Sequence, residues 1–530
     1  MQRQKRSTIN INRRQFLQLT SGAATLFALC SCQPVAPATQ APFAPTNDTP
    51  QAGGVLRLVP NDEVTTLDQA VSVGTADYLL GFMLYNNLVR RSEGEPGAPL
   101  YPDLAEAWAM SEDAMEHTFY LRQGVTFHHG TPFTATDVEH SINRILDPAL
   151  ASSAAARLRR LDKIEIVDDF TIKFYLNAPD VTLPYVLSGP GLCIVPHDRN
   201  SEQLAQEPAG TGPFLLAEHI PGERTVVKRN PNYWEQERPY LDEIQLLILP
   251  EAVGQVAALT SGTVDMLYQV SLASVPALEN VPDVDVLESS QGVYPVFVMH
   301  VVDQPFDDVR VRQAFKHAID RAALQTALLQ GRGAIGNDQP LAPDTPFWAD
   351  VEPLAYDVDK AKQLLAEAGY PNGLAVTLTI SDIGGPRLND AAVAIQEMVK
   401  EAGITITLDK VPLTSYWSEK YRNVPFFISW WPVFTEPSGV LPLAYSSQGL
   451  NNESGWSNSI VDQLIVAGQG EQDMAKRKQI YAEIQHTISE QGAVIIPYFA
   501  PFLQAIRNHV RGHIPGSRIT YQHLWLANGG

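Results

Sequence analysis

The chain has 530 residues, of which 45% are hydrophobic, and a formal net charge of −21. Such acidity repels the phosphate backbone of nucleic acids, so nucleic acid is excluded as a partner. Three cysteines are too few for a disulfide framework or a cysteine-based metal site. The composition therefore predicts a globular protein without a cysteine-based metal site, and we expect no cofactor and no metal-ligating site residues.

The first 32 residues have the pattern of an export signal. Arg13-Arg14 precedes a short apolar run that ends at Cys30, and this run is too short to span a bilayer. The paired arginines are typical of a twin-arginine signal. Leu29 stands three residues before Cys32, which predicts a lipobox with Cys32 as the lipidated residue. An ordinary secretory signal is the alternative.

The residues that follow predict a tether and a body outside the bilayer. Residues 33–51 are rich in Pro, Ala, Thr and Gln, a composition typical of a flexible linker. No later apolar run approaches 18 residues, so the body is not expected to cross a membrane. We expect a protein of the cell envelope, held in the periplasm or on the outer face of the cytoplasmic membrane by acyl chains alone.

Short strand patterns alternate with capped helix patterns through the body, which predicts an α/β protein. One helix is expected from Asp308 to about Gln330, and others begin at Asp359 and Asn389. A helix is followed directly by a strand twice within about fifty residues, which predicts a βαβ layer with parallel strand pairing in this half of the chain. The predicted strands are Val55–Val59, His117–Arg122, Thr171–Leu176, Thr225–Arg229, Ile244–Leu249, Ala375–Ile380, Ile404–Leu408 and Phe426–Trp430.

The sequence contains no enzyme motif in the structural context that its chemistry requires. The glycines of Gly331–Gly336 have the spacing of a dinucleotide loop, but they follow a helix instead of a strand. The sequence has neither His-Glu-x-x-His nor Gly-x-Ser-x-Gly. The rings of His128 and His129 are adjacent in sequence and make a poor chelate. The chain is therefore not expected to be an enzyme, and a secreted hydrolase has no support.

Blocks of sequence from Gly53 to beyond residue 490 carry a family resemblance. They are GGVLRL at 53–58, TLD at 66–68, YPDLAEAW at 101–108, LRQGVTFHHGTPF at 121–133, GTGPF at 210–214, RNPNYW at 229–234, PFDDVRVRQAF at 305–315 and AKQLLAEAGYP at 361–371. In this order they resemble the family 5 solute-binding proteins of ABC importers, the group of dipeptide, oligopeptide and nickel receptors.

The resemblance implies a two-lobed α/β fold of the periplasmic-binding-protein type, with a hinge and an additional third domain. The chain would cross between the lobes near Pro295 and Pro497, whose rings stiffen the backbone. The implied ranges are 52–87, 196–295 and 495–530 for lobe I, 88–195 for the extra domain and 296–494 for lobe II.

The resemblance also implies capture without chemistry. A monomer would close over a peptide or a peptide-like polar organic solute and deliver it to a permease with its ATPase. One alternative is a non-peptide ligand, such as an opine, a sugar-like solute or a metal chelate, for which His300 is a candidate ligand. Another is a sensor that presents its ligand to a signalling partner.

The stretch from Tyr416 to Trp456 contains ten aromatic residues. Two interpretations are open: the rings line the ligand cleft, or they pack in the hydrophobic core. The cleft candidates among them are Trp430, Trp431, Phe434 and Tyr445.

Peptide receptors of the family place an aspartate for the peptide ammonium shortly after the tryptophan of this strand. Val433 stands at the matching position, and Glu436 is the candidate substitute. A valine cannot neutralise a buried ammonium, so a plain dipeptide is disfavoured. The resemblance adds Ser72 and Asp77 after the first turn of lobe I. The loop before Trp456 adds the last candidates, Asn452 and Glu453.

Overall fold

The computed structural model describes residues 49–527 except Glu93, Pro96, Glu352, Pro353 and Pro386. The predicted export signal, Cys32 and most of the tether lie outside the described residues. All eight strands predicted from the sequence are present, with ends that differ by at most a few residues. No helix in this described part is long and apolar enough to cross a membrane.

Lobe I is built on a mixed sheet. Val55–Val59 lies at its centre and pairs in parallel with Glu243–Leu247 and with Met266–Leu267, while the outer pairs are antiparallel. Its helices are Thr75–Leu84, Ser201–Gln206, Ala252–Ser261 and Val275–Leu278. The spatial order of the strands is Val284–Ser289, Phe502–Arg507, Met266–Leu267, Val55–Val59, Glu243–Leu247, Arg224–Arg229 and Phe214–Ile220.

The extra domain packs an antiparallel sheet against the helix Ala135–Leu146. Ile172, Phe174 and Leu176 lie on the buried face, as the alternation of their strand predicts. A hairpin and a short helix, Val89–Arg91 with Leu100–Pro102 and Leu183–Leu187, complete the domain. The strand order is Ala105–Met110, Glu116–Leu121, Thr171–Leu176 and Leu161–Asp168.

Lobe II has a sheet with a hydrophobic core on each face. Leu374–Ile380 and Ile404–Lys410 pair in parallel, which confirms the prediction from the helix–strand successions. Its strands are, in spatial order, Ile404–Lys410, Leu374–Ile380, Phe426–Pro432, Val293–Met299 and Val494–Ile495. Its longer helices are Val309–His317, Arg321–Leu329, Val358–Glu367, Leu388–Met398, Ser459–Gly470 and Met474–Gln491.

The single helix predicted from Asp308 to about Gln330 is wrong, because the segment forms two helices. Asp308 caps the first, and Asp320 caps the second by accepting a hydrogen bond from the backbone N–H of Ala323 at 2.9 Å. An aspartate that satisfies the N–H groups of a new first turn favours a fresh start over continuation of the preceding helix.

The two connections between the lobes touch each other. The backbone N–H of Ala500 donates to Val293 O at 2.9 Å. A Cβ atom at Gly292 would lie 2.1 Å from Ala500 O, so only glycine permits this close approach. The bounds of the three domains stay a prediction.

Candidate functional site

A cavity of about 310 Å³ lies between the segments predicted as lobe I, the extra domain and lobe II. Its walls mix aromatic and aliphatic side chains with a few polar groups, the usual composition of a small-molecule site. The lining residues are Thr75, Tyr78, Leu79, Phe82, Tyr268, Gln291, Ser517 and Arg518 from lobe I, Arg91, Tyr185 and Pro190 from the extra domain, and Pro432, Val433, Phe434 and Thr435 from lobe II.

The lobe II wall begins where the strand Phe426–Pro432 ends. The backbone N–H of Val433 donates to Gly292 O at 2.9 Å, which ties this wall to the hinge. The ring of Phe434 packs over Gly439, where a Cβ atom would lie 2.5 Å from Phe434 Cδ1. The predicted site residues Val433 and Phe434 therefore line the cavity, and a glycine permits the orientation of the phenyl ring.

The opposite wall combines arginines with aromatic rings. The Arg518 guanidinium lies 4.0 Å from the centroid of Phe82, and that of Arg91 lies 4.4 Å from the centroid of Tyr185. Both arginines also donate to Ser188, Arg91 to the hydroxyl and Arg518 to the carbonyl oxygen. Sequence reasoning missed these lining residues, because no local signal joins positions so far apart in the chain.

Glu453 lies behind the lobe II wall in a cage of donors. Its carboxylate accepts from Tyr421 Oη and Ser429 Oγ at 2.6 Å each, and from Trp431 Nε1 at 3.2 Å. Burial raises the pKa of Glu453, and these hydrogen bonds oppose the rise. Glu453 and Trp431 are outside the set of lining residues and instead hold the end of the strand in place.

Glu436 forms an ion pair within lobe II. Its carboxylate accepts a hydrogen bond from Arg477 Nη2, and both side chains are buried. Burial raises the pKa of Glu436 to about 7, although the charge of Arg477 lowers it. Its neighbour Thr435 lines the cavity, but the Glu436 carboxylate points to Arg477 and is not among the lining groups.

Three further lobe II candidates lie away from the lining set. Tyr445 is buried in the core that contains Phe427. The Asn452 amide donates to Ser446 O at 3.1 Å and to Trp456 O at 2.7 Å, so it shapes its own loop. Trp430 is 37% exposed, and its indole N–H donates to a backbone carbonyl at 3.2 Å.

The two lobe I candidates, Ser72 and Asp77, are not among the residues that line the cavity. Asp77 is buried and accepts from the backbone N–H and the hydroxyl of Thr65, at 2.7 and 2.8 Å. It thereby fixes the start of the helix Thr75–Leu84, whose next turn lines the cavity. Ser72 is also buried, and its hydroxyl donates to Asp68 O at 3.4 Å.

The described residues offer no set of protein ligands that would support the metal-chelate alternative. Among them, no group of three or more His, Cys, Asp and Glu side chains is arranged to hold a metal ion. His300 Nδ1 lies 2.8 Å from a carboxylate oxygen of Asp303, its neighbour on the same turn.

Comparison with known proteins identifies the family. A profile described as "Bacterial extracellular solute-binding proteins, family 5 Middle" matches residues 99–452. Heme-binding protein A of Haemophilus influenzae is 30% identical over 478 residues, which cover 83% of this chain and 86% of that protein. Di/tripeptide-binding protein 1 of Pseudomonas aeruginosa is 26% identical over 442 residues, which cover 77% and 82%.

Solved structures share the fold. HbpA2 from Haemophilus parasuis superposes with a TM-score of 0.82 at 24% identity, covering 89% of this chain and all of that one. AgaA from A. tumefaciens R10, in complex with agropinic acid, superposes with a TM-score of 0.74 at 27% identity, covering 90% and 99%. The predicted fold class is thereby confirmed. The chain belongs to the family 5 extracellular solute-binding proteins, the receptors of ABC importers, and has their two-lobed α/β fold.

Proposed function

We propose that the protein is a lipid-anchored receptor that captures a peptide-like polar organic solute between its lobes and delivers it to the permease of an ABC importer. The observation that carries this proposal is the cavity whose walls come from all three domains at the crossing of the hinge. Such a site is complete only when the lobes are together, so solute binding and closure are coupled.

The chemistry of the walls supports a small, partly apolar solute. A volume of about 310 Å³ is at the small end of the usual range for ligand sites. Phe434 and Tyr185 offer apolar surface, while Gln291 and Thr435 offer hydrogen-bonding groups. Val433 leaves the family's usual ammonium position without charge, which favours a peptide-like solute over a plain dipeptide.

The ligand can be identified by native mass spectrometry of protein extracted gently from its own cells. We expect a bound organic solute, which is then titrated into protein freed of it by unfolding and refolding. Phe434→Ala should weaken its binding about tenfold, because the side chain loses most of its apolar contact area. Equal affinity in the variant would show that the solute binds elsewhere.

A non-peptide solute is the second candidate. The observation in its favour is the similarity to AgaA, whose structure contains agropinic acid. The same mass measurement separates the candidates, because it gives the elemental composition of the bound solute.

The lipid anchor is tested separately. Cells that express the protein are labelled with radioactive palmitate, and Cys32→Ser is expected to abolish the label. The matched control is Cys30→Ser, which should retain the label because Cys30 is not the predicted acceptor. Label that survives Cys32→Ser would contradict the proposed anchor.

A further inference from the structure

The extra domain reaches across the cavity and contacts lobe II. Tyr185 Oη lies 2.7 Å from Thr435 Oγ1, so a hydrogen bond joins the extra domain to the lobe II wall. Both residues line the cavity. This contact spans the cavity between the two domains, and it must break whenever lobe II swings away.

A second group of contacts joins the same two domains outside the cavity. The backbone N–H of Val181 donates to Gln469 O at 2.8 Å, and Arg160 Nη2 donates to Gln469 Oε1. Gln472 Nε2 donates to Ser111 O and Glu112 O at 2.9 Å each. We call this group the clasp. On lobe II it is confined to the end of the helix Ser459–Gly470 and the turn that follows.

The clasp is also tightly packed. A Cβ atom at Gly470 would lie 3.0 Å from Pro179 Cβ, so a side chain at this helix end would have to displace Pro179 of the extra domain. By contrast, the contact between lobe II and lobe I near Arg332 consists of partly exposed ion pairs with Glu279 and Glu288. Exposed pairs of this kind contribute little free energy. The more closely packed contact, which buries the side chain of Gln469, is therefore the one made by the extra domain.

We propose that the extra domain stabilises the closed form of the cleft, through the clasp and the Tyr185–Thr435 hydrogen bond. The closed fraction is then set in part by residues, such as Gln472, that lie outside the cavity and touch no solute. Each hydrogen bond that must break on opening favours the closed form by about 2- to 12-fold. This inference concerns how the cleft closes and does not depend on which solute it binds.

Small-angle X-ray scattering of the solute-free mature domain, residues 52–530, tests the proposal in two independent ways. The double variant Gln472→Ala/Thr435→Val removes hydrogen bonds, and Gly470→Val inserts a side chain against Pro179. Both are expected to increase the radius of gyration, with the ratio of open to closed molecules rising on the order of tenfold. Circular dichroism melting confirms that each variant is folded.

Matched controls make the same substitutions away from the clasp. Gln363→Ala/Thr326→Val removes hydrogen bonds within single lobe II helices, and Gly254→Val alters an open helical position of lobe I. These controls should scatter like the wild type. Clasp variants that are folded and also scatter like the wild type would overturn the proposal, as would an equal expansion of the controls. The measurement uses no solute, so it stays decisive even if the proposed ligand class is wrong.

Discussion

Replacing Arg477 by methionine is expected to destabilise the protein by an amount that grows with pH above 7. Arg477 pairs with the buried Glu436, donates to Gly468 O at 3.1 Å, and lies 4.5 Å from the ring centroid of Phe347. Methionine fills similar volume but removes the charge. Glu436 then keeps its burial and loses the cation that offsets it, so its pKa rises above the present value of about 7.

The sign follows from proton binding. The pKa of Glu436 is raised to about 7, whereas glutamate in the unfolded chain ionises near 4.5. Between these values the folded state binds more protons than the unfolded state, so stability falls as pH rises and then levels off above pH 7. Without Arg477 the fall continues above pH 7, at about 1.4 kcal/mol per pH unit.

The expected loss has two parts. The part independent of pH is about 2 kcal/mol, from the lost hydrogen bond to Gly468 and the lost contact with Phe347. The part that depends on pH is near zero at pH 6 and reaches about 2.7 kcal/mol at pH 9, two units above the wild-type pKa.

Urea unfolding of wild type and variant at pH 6 and pH 9 measures both parts. The control is the double variant Arg477→Met/Glu436→Gln, which has no ionisable group at this position, so this position should contribute no change in its stability between pH 6 and pH 9. Because the wild type itself loses about 1.4 kcal/mol over this range, the loss of the control relative to the wild type should be smaller at pH 9 than at pH 6. A loss in Arg477→Met that does not change between pH 6 and pH 9 would refute the argument that Glu436 depends on Arg477 for its charge.

Three further predictions follow from buried groups and from the strand beside the cavity. Glu453→Gln should lower the free energy of unfolding by about 2 kcal/mol, because the amide cannot accept from all the donors that surround the carboxylate. An unchanged urea midpoint would show that these donors do not depend on the carboxylate. Trp431→Ala and Trp430→Ala should weaken solute binding indirectly and without unfolding the protein, because both rings belong to the strand that leads into the lining residues Val433 and Phe434. Unchanged affinity in both variants would show that the end of this strand keeps its position without them. Lys316 is fully buried, donates to Ser489 O at 2.7 Å, and has its pKa lowered by burial to about 8. Its unfolded form binds protons up to about pH 10.5, so wild-type stability should gain about 2 kcal/mol from pH 8 to 10 relative to Lys316→Met. Equal slopes in the two proteins would show that Lys316 keeps an ordinary pKa.

Local patterns predicted the elements of the fold well and the site only in part. The alternation in Thr171–Leu176 specifies its buried face, and Asp308 begins a helix as a capping residue should. Asp320 caps the next helix with the same chemistry, but the predicted helix continues through it to about Gln330, because a capping residue inside a helical segment is no clear local signal of a break. Of the lobe II candidates, Val433 and Phe434 line the cavity, whereas Glu436 and Glu453 are engaged inside the lobe.

The sequence by itself determined the family, the α/β class and the order of the elements, because these depend on periodicity, capping and motifs within short stretches. Tertiary structure alone decided which side chains share the cavity and which acids find internal partners. Tyr185 meets Thr435 across 250 residues of chain, and Arg518 meets Ser188 across 330. A residue's local pattern shows which face is apolar, but the partner that covers that face or neutralises a charge depends on how distant segments pack.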